Sequence, residues 1–106
     1  MNEPVTVAVL AKAPIPGFAK TRLIPVLGAR GAAMLQGRLI ERAVETACAA
    51  AVGPVSLWAA PDETHPAFQS ISARLAITLA RQADGDLGAR MLASITRANT
   101  CVLVIG

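Results

Sequence analysis

Two stretches constrain the fold more than anything else in the chain. Val5–Ala11 (VTVAVLA) and Cys101–Ile105 (CVLVI) are apolar almost without interruption and rich in β-branched residues. Such runs fit strands buried on both faces, as in a parallel sheet covered by helices. Val55–Ala59 and Ala76–Ala80 are shorter runs of the same kind.

Helical patterns fill the segments between them. Ala32, Leu35, Leu39, Ala43, Ala47 and Ala51 recur at three- and four-residue spacing, which predicts a helix from about Ala29 to Ala51 with one apolar stripe. Arg38, Glu41, Arg42 and Glu45 fall mainly on its other faces, with Arg38/Glu41 and Arg42/Glu45 spaced to pair. Gly53-Pro54 then ends the helix and launches the next strand. A short helix is expected over Pro66–Leu75. Another is expected from Asp86 or Leu87 to about Ala98, with Asp86 as its N-cap. The order is therefore β-loop-α-β-α-β-α-β. It implies right-handed crossovers and an α/β fold, Rossmann-like, with three α/β/α layers around a mostly parallel sheet that is truncated after the fourth strand.

Composition narrows the function classes. At 106 residues there is room for one domain, and 54% hydrophobic residues against 16% charged ones argue for a packed core rather than disorder. No apolar run approaches the ~18–20 residues of a membrane span. Glu3 and Pro4 stand where a secretion signal would need basic and then apolar residues, so a cytoplasmic protein is expected. Cys48 and Cys101 lie in apolar stretches and are expected to be buried free thiols; with one histidine they cannot build a tetrahedral zinc site. The net charge is +3, but Lys12, Lys20, Arg22, Arg30, Arg38 and Arg42 all precede residue 43, against only Glu3 and Glu41. That concentration suits a compact anion. Nucleic acid would require a broader basic face and stacking aromatics, whereas Phe18, Trp58 and Phe68 are scattered.

In parallel sheets ligands bind beyond the carboxyl ends of the strands, so the connections there carry the chemistry. The first, Ala11–Gly28 (AKAPIPGFAKTRLIPVLG), is far longer than the ~2–6 residues usual in α/β units. Pro14, Pro16 and Pro25 stiffen it, and Gly17 permits a close backbone approach to a ligand. Lys12, Lys20 and Arg22 bring the positive charge that holds a di- or triphosphate. Two familiar phosphate motifs are excluded. Aligning Lys20-Thr21 on a Walker A motif puts Pro14 and Ala19 at its glycines, and Pro25 disfavours a helix running straight on from the lysine. The glycine pattern of the dinucleotide fold is absent as well.

Lys12–Gly28 resembles the opening of a bacterial family of glycosyltransferase-A-fold transferases often encoded near radical-SAM proteins. Leu57-Trp-Ala-Ala-Pro61, Phe68, Gln82 and Gly85-Asp-Leu-Gly-Ala-Arg-Met91 match the same family. Looser relatives are the guanylyltransferases of cofactor biosynthesis. The resemblance implies a nucleotide-diphospho-sugar transferase fold of which residues 1–106 form the nucleotide-binding N-terminal part. The first loop would hold phosphates, and Gly85 and Asp86 would lie near the base or ribose. It also implies Mg²⁺ or Mn²⁺, held by an acidic segment that would follow the strand matching Val102–Gly106 and is not in this chain.

Other residues have plainer roles. Asp84-Gly85-Asp86 could hold a divalent metal, but a turn aspartate followed by a helix cap is preferred. Arg90 could reach the ligand or pair with Asp86, Arg30 is expected on the helix surface, His65 in an exposed loop, and Trp58 in the core. The expected function is a glycosyltransferase-like one, with a nucleotide sugar or nucleotide as partner and Lys12, Gly17, Lys20, Arg22, Gly85 and Asp86 as the binding residues. The alternatives are a guanylyltransferase-like enzyme or an inactive truncated nucleotide-binding fragment. Strand Val102–Ile105, apolar on both faces with nothing after it, would be covered by self-association, strand exchange or a partner chain.

Overall fold

The computed structural model describes residues 5–82 and 100–105. It contains β1 (Thr6–Lys12), α1 (Ile24–Ala50), β2 (Val55–Ala60), α2 (Pro66–Arg74), β3 (Thr78–Arg81) and β4 (Thr100–Ile105). A single 3₁₀ turn, Thr21–Leu23, leads into α1. The four strands form one sheet in the order β3-β2-β1-β4, and every pairing is parallel. This is the expected α/β sheet, with the first strand at its centre. Helix α1 packs over β1 and β2. Val7, Val9, Ala11, Val55, Leu57 and Ala59 point to the helical side and form one core with Ile40, Val44 and Ala47 of α1 and Phe68 and Ile71 of α2. Ala8 and Leu10, on the other face of β1, are equally buried. That two-sided burial is why the strand reads as an unbroken apolar run.

Several expectations are corrected in detail. Helix α1 starts at Ile24, not Ala29, because Pro25 occupies its first turn, where a missing N–H costs nothing. Gly28, with φ 75° and ψ 163°, then kinks it before the main run. The loop after β1 is accordingly shorter than Ala11–Gly28. The buried residues of α1 are Ala32, Ala33, Gln36, Ile40, Val44 and Ala47: Ala32 and Ala47 are buried as predicted, but between them the stripe runs through Gln36, Ile40 and Val44 rather than Leu35, Leu39 and Ala43, and Leu39 is 38% exposed. Glu41 and Glu45 do not pair with Arg38 and Arg42. Both meet Arg74 of α2, at 3.3 and 3.6 Å, in half-exposed bridges worth little beyond orientation. β3 begins at Thr78 rather than Ala76.

Pro54 directly precedes β2 as expected, but the helix stops before Gly53, capped at Ala51, which takes the left-handed conformation (φ 52°); Gly53 is needed for proximity. A Cβ there would collide with the Val5 carbonyl, and the Val5 N–H donates to Val52 O at 2.9 Å. His65 is not a bare loop residue. Its Nδ1 accepts from the Ala67 N–H at 3.0 Å and caps α2. Trp58 is half-buried, with its indole N–H donating to Ser56 Oγ at 2.9 Å. Cys48 is half-buried and Cys101 is exposed, because β4 lies at the edge of the described sheet. The predicted helix from Asp86 or Leu87 to Ala98 lies outside the described residues, as do Asp84, Gly85, Asp86 and Arg90.

Candidate functional site

β1 is an interior strand of the sheet, and its carboxyl end lies on the edge where parallel α/β sheets bind ligands. Beyond Lys12 the chain keeps to the sheet for one more residue: the Ala13 N–H donates to Ala60 O at 2.7 Å. It then turns sharply. The Phe18 and Ala19 N–H groups both donate to Ile15 O, at 3.0 and 3.1 Å. Pro16 and Gly17 are the two central residues of the first of these turns. Proline presets the first central position, and the second requires a positive φ, which Gly17 supplies at 85°. Lys20 adopts the left-handed conformation, φ 51° and ψ 45°, and its carbonyl accepts from the Leu23 N–H at 2.9 Å. Each of these features is local, and together they fold the segment back over the strand end.

The result is a cleft of about 440 Å³ lined by Lys12, Phe18, Lys20, Thr21, Arg22 and Leu23. That volume falls in the range of small-ligand sites. The Lys12 ammonium lies 5.5 Å from the centre of the Phe18 ring, within cation–π distance. Of the residues expected to bind, Lys12, Lys20 and Arg22 meet in this one cleft. Gly17 shapes the turn beside it rather than forming a wall. Sequence reasoning did not single out Phe18 or Thr21, although the adjacency of Thr21 to Lys20 was a signal for the latter.

Two buried glutamines bond to strand backbone toward this end of the sheet. Gln82, just past β3, donates from Nε2 to the carbonyls of Trp58 (2.8 Å) and Ala11 (3.3 Å). Gln36, from α1, donates from Nε2 to the carbonyls of Lys12 (3.0 Å) and Ile105 (3.1 Å). Gln36 was missed by sequence reasoning, because a polar side chain on a helix is ordinarily assigned to its outer face.

The described lining is basic and holds no carboxylate. Glu41 and Glu45 are bound to Arg74 on the outside of the molecule. Asp62 accepts the Thr64 hydroxyl and backbone N–H, which hold its carboxyl below its ordinary value. Divalent cations take oxygen ligands, so the cleft residues described here do not fit Mg²⁺ or Mn²⁺ by themselves, and no group of three metal-ligating side chains occurs among the described residues. No helix among them is long and apolar enough to cross a membrane.

Comparison with family models returned no match, and neither did comparison with curated proteins. Among solved structures, the chain superposes with a TM-score of 0.77 on a protein from Desulfovibrio desulfuricans G20 provisionally assigned as a nucleotide-diphospho-sugar transferase. The identity is 23%, and the match covers 95% of this chain and 46% of that one. The chain thus has the α/β fold of that protein and spans somewhat under half of its length.

Proposed function

We propose that this chain binds the diphosphate of an activated nucleotide and forms the nucleotide-binding part of a nucleotide-diphospho-sugar transferase-like protein. The observation that carries this reading is the convergence of Lys12, Lys20 and Arg22 in one cleft at the carboxyl end of the central strand. The fold shared with the Desulfovibrio protein supports it, since that protein's provisional assignment names the same ligand class.

In this reading Lys20 and Arg22 contact the phosphates. Arg22 can present two parallel N–H donors to phosphate oxygens, whereas Lys20 acts as a point charge. Lys12 leaves the Phe18 ring to join them. Three cations around a diphosphate neutralise charge that would otherwise build up as a sugar leaves it. Such preorganised electrostatic stabilisation is a major part of transferase chemistry. Among the described residues there is no carboxylate in the cleft to act as a base, so this part of the protein supplies binding and charge.

The test is calorimetric titration of the chain with UDP and GDP, beside a Lys20→Ala/Arg22→Ala variant. Charge-assisted hydrogen bonds contribute ~1.5–3 kcal/mol each, so the variant should lose roughly a hundredfold or more in affinity. Equal affinities would remove the phosphate role.

A further inference from the structure

We infer that Gln36 is a positioning residue for the cationic cleft, acting through the backbone of Lys12; this rests on reading the cleft as a diphosphate site. Gln36 is fully buried on the core-facing side of α1, among apolar neighbours in the helix stripe. Both protons of its Nε2 are used, one on Lys12 O at 3.0 Å and one on Ile105 O at 3.1 Å. These two carbonyls end adjacent strands, since Ala11 lies opposite Ile105 in the β1–β4 register. One carboxamide therefore spans the carboxyl end of that seam. Its orientation is fixed, because the flipped amide would set Oε1 against two carbonyl oxygens.

The arrangement is costly on its own terms. Gln36 Oε1 is buried and has no hydrogen-bond partner among the described residues. A methionine of similar length would fill the same space without an orphaned acceptor. What the carboxamide adds is position. Lys12 is the last residue of β1, where a strand ordinarily frays, and its ammonium reaches into the cleft beside Phe18. The backbone there is held from both sides: Ala13 N–H bonds Ala60 O on the β2 side, and Gln36 bonds Lys12 O on the β4 side. A cation whose backbone is already fixed loses less freedom when it meets a ligand.

The experiment is a double-mutant cycle on the whole chain, with Gln36→Met, Lys12→Ala and the pair, titrated with UDP and with inorganic pyrophosphate. Gln36→Met should weaken both ligands roughly tenfold when Lys12 is present and little when it is alanine, as for residues that act through one another. Gln36→Leu, which also removes both donors and adds no charge, should show the same coupling. Equal losses with and without Lys12, or no loss in a folded variant, would overturn the positioning role. So would failure of both variants to fold, which would make Gln36 a residue of stability alone. Failure of the unaltered chain to bind either ligand would remove the diphosphate reading, and this inference with it.

Discussion

The Gln82 carboxamide donates to the Trp58 carbonyl at 2.8 Å and, across the sheet, to the Ala11 carbonyl at 3.3 Å. One side chain beyond β3 thereby links the carboxyl ends of β2 and β1. Replacing it with leucine would keep the bulk and leave two strand-end carbonyls without that donor. Gln82→Leu should lose about 1–3 kcal/mol of stability, the usual cost of stranding buried polar groups. Urea unfolding would measure it. An unchanged midpoint would mean that water substitutes for the amide.

Gly17 carries the turn over the strand end at φ 85°, and a Cβ added there would meet nothing within 4 Å. The cost of Gly17→Ala is therefore backbone strain alone, roughly 1–2 kcal/mol. Gly17→Asn should be milder, since asparagine tolerates the left-handed region better. Thermal unfolding of the two variants would rank them. Tolerance of alanine without loss would show that the turn can rearrange.

The basic lining leads to an expectation about metal. We propose that UDP binds the isolated chain no more tightly with Mg²⁺ than with EDTA, because the described cleft residues offer cations and no carboxylate. Parallel titrations in the two buffers decide this. A large gain with Mg²⁺ would point to oxygen ligands beyond those described, with Asp84 and Asp86 the first to replace.

β4 pairs with β1 along one side and forms an edge of the described sheet, with Leu103 and Val104 40% and 45% exposed. Exposed apolar edges invite pairing with another chain. We propose that this edge self-associates at micromolar concentration and that Leu103→Lys, which places a charge on the edge, shifts the protein toward monomer. Sedimentation velocity reads both. A monomeric parent chain would contradict the proposal.

β1 and β4 were legible because their runs are apolar almost throughout, and the parallel sheet followed from the helical patterns between the strands. The phase of α1 was harder to read. With alanines on most sides of the helix, the stripe through Leu35 and Leu39 and the stripe through Ile40 and Val44 are nearly equivalent by pattern. The sheet selects the second and admits Gln36 into it. The helix start was obscured by Pro25 and Gly28, which read as breakers in sequence but serve as a first-turn residue and a kink. Cys101 was misplaced for a different reason: an apolar run says that a strand is suited to burial, not that a neighbour lies on each side. The cationic cleft was legible because Lys12, Lys20 and Arg22 share one connection. Its supports were not, because Gln36 and Gln82 act through contacts 24 to 71 residues away.

The central place of β1 has a consequence for how the molecule comes together. β1 precedes both of its neighbours in the chain, so it must wait for each of them, and its pairing of Thr6 with Thr100 closes a long loop. Loop-closure entropy rises only slowly with length, but it must be met before the long-range contacts repay it. The β1–β2 seam, with α1 docked across it, can therefore assemble before β4 has been made, and the β1–β4 seam closes after it. Until then one side of β1, whose residues Val7 to Ala11 are all buried in the finished sheet, is bare and open to misassembly.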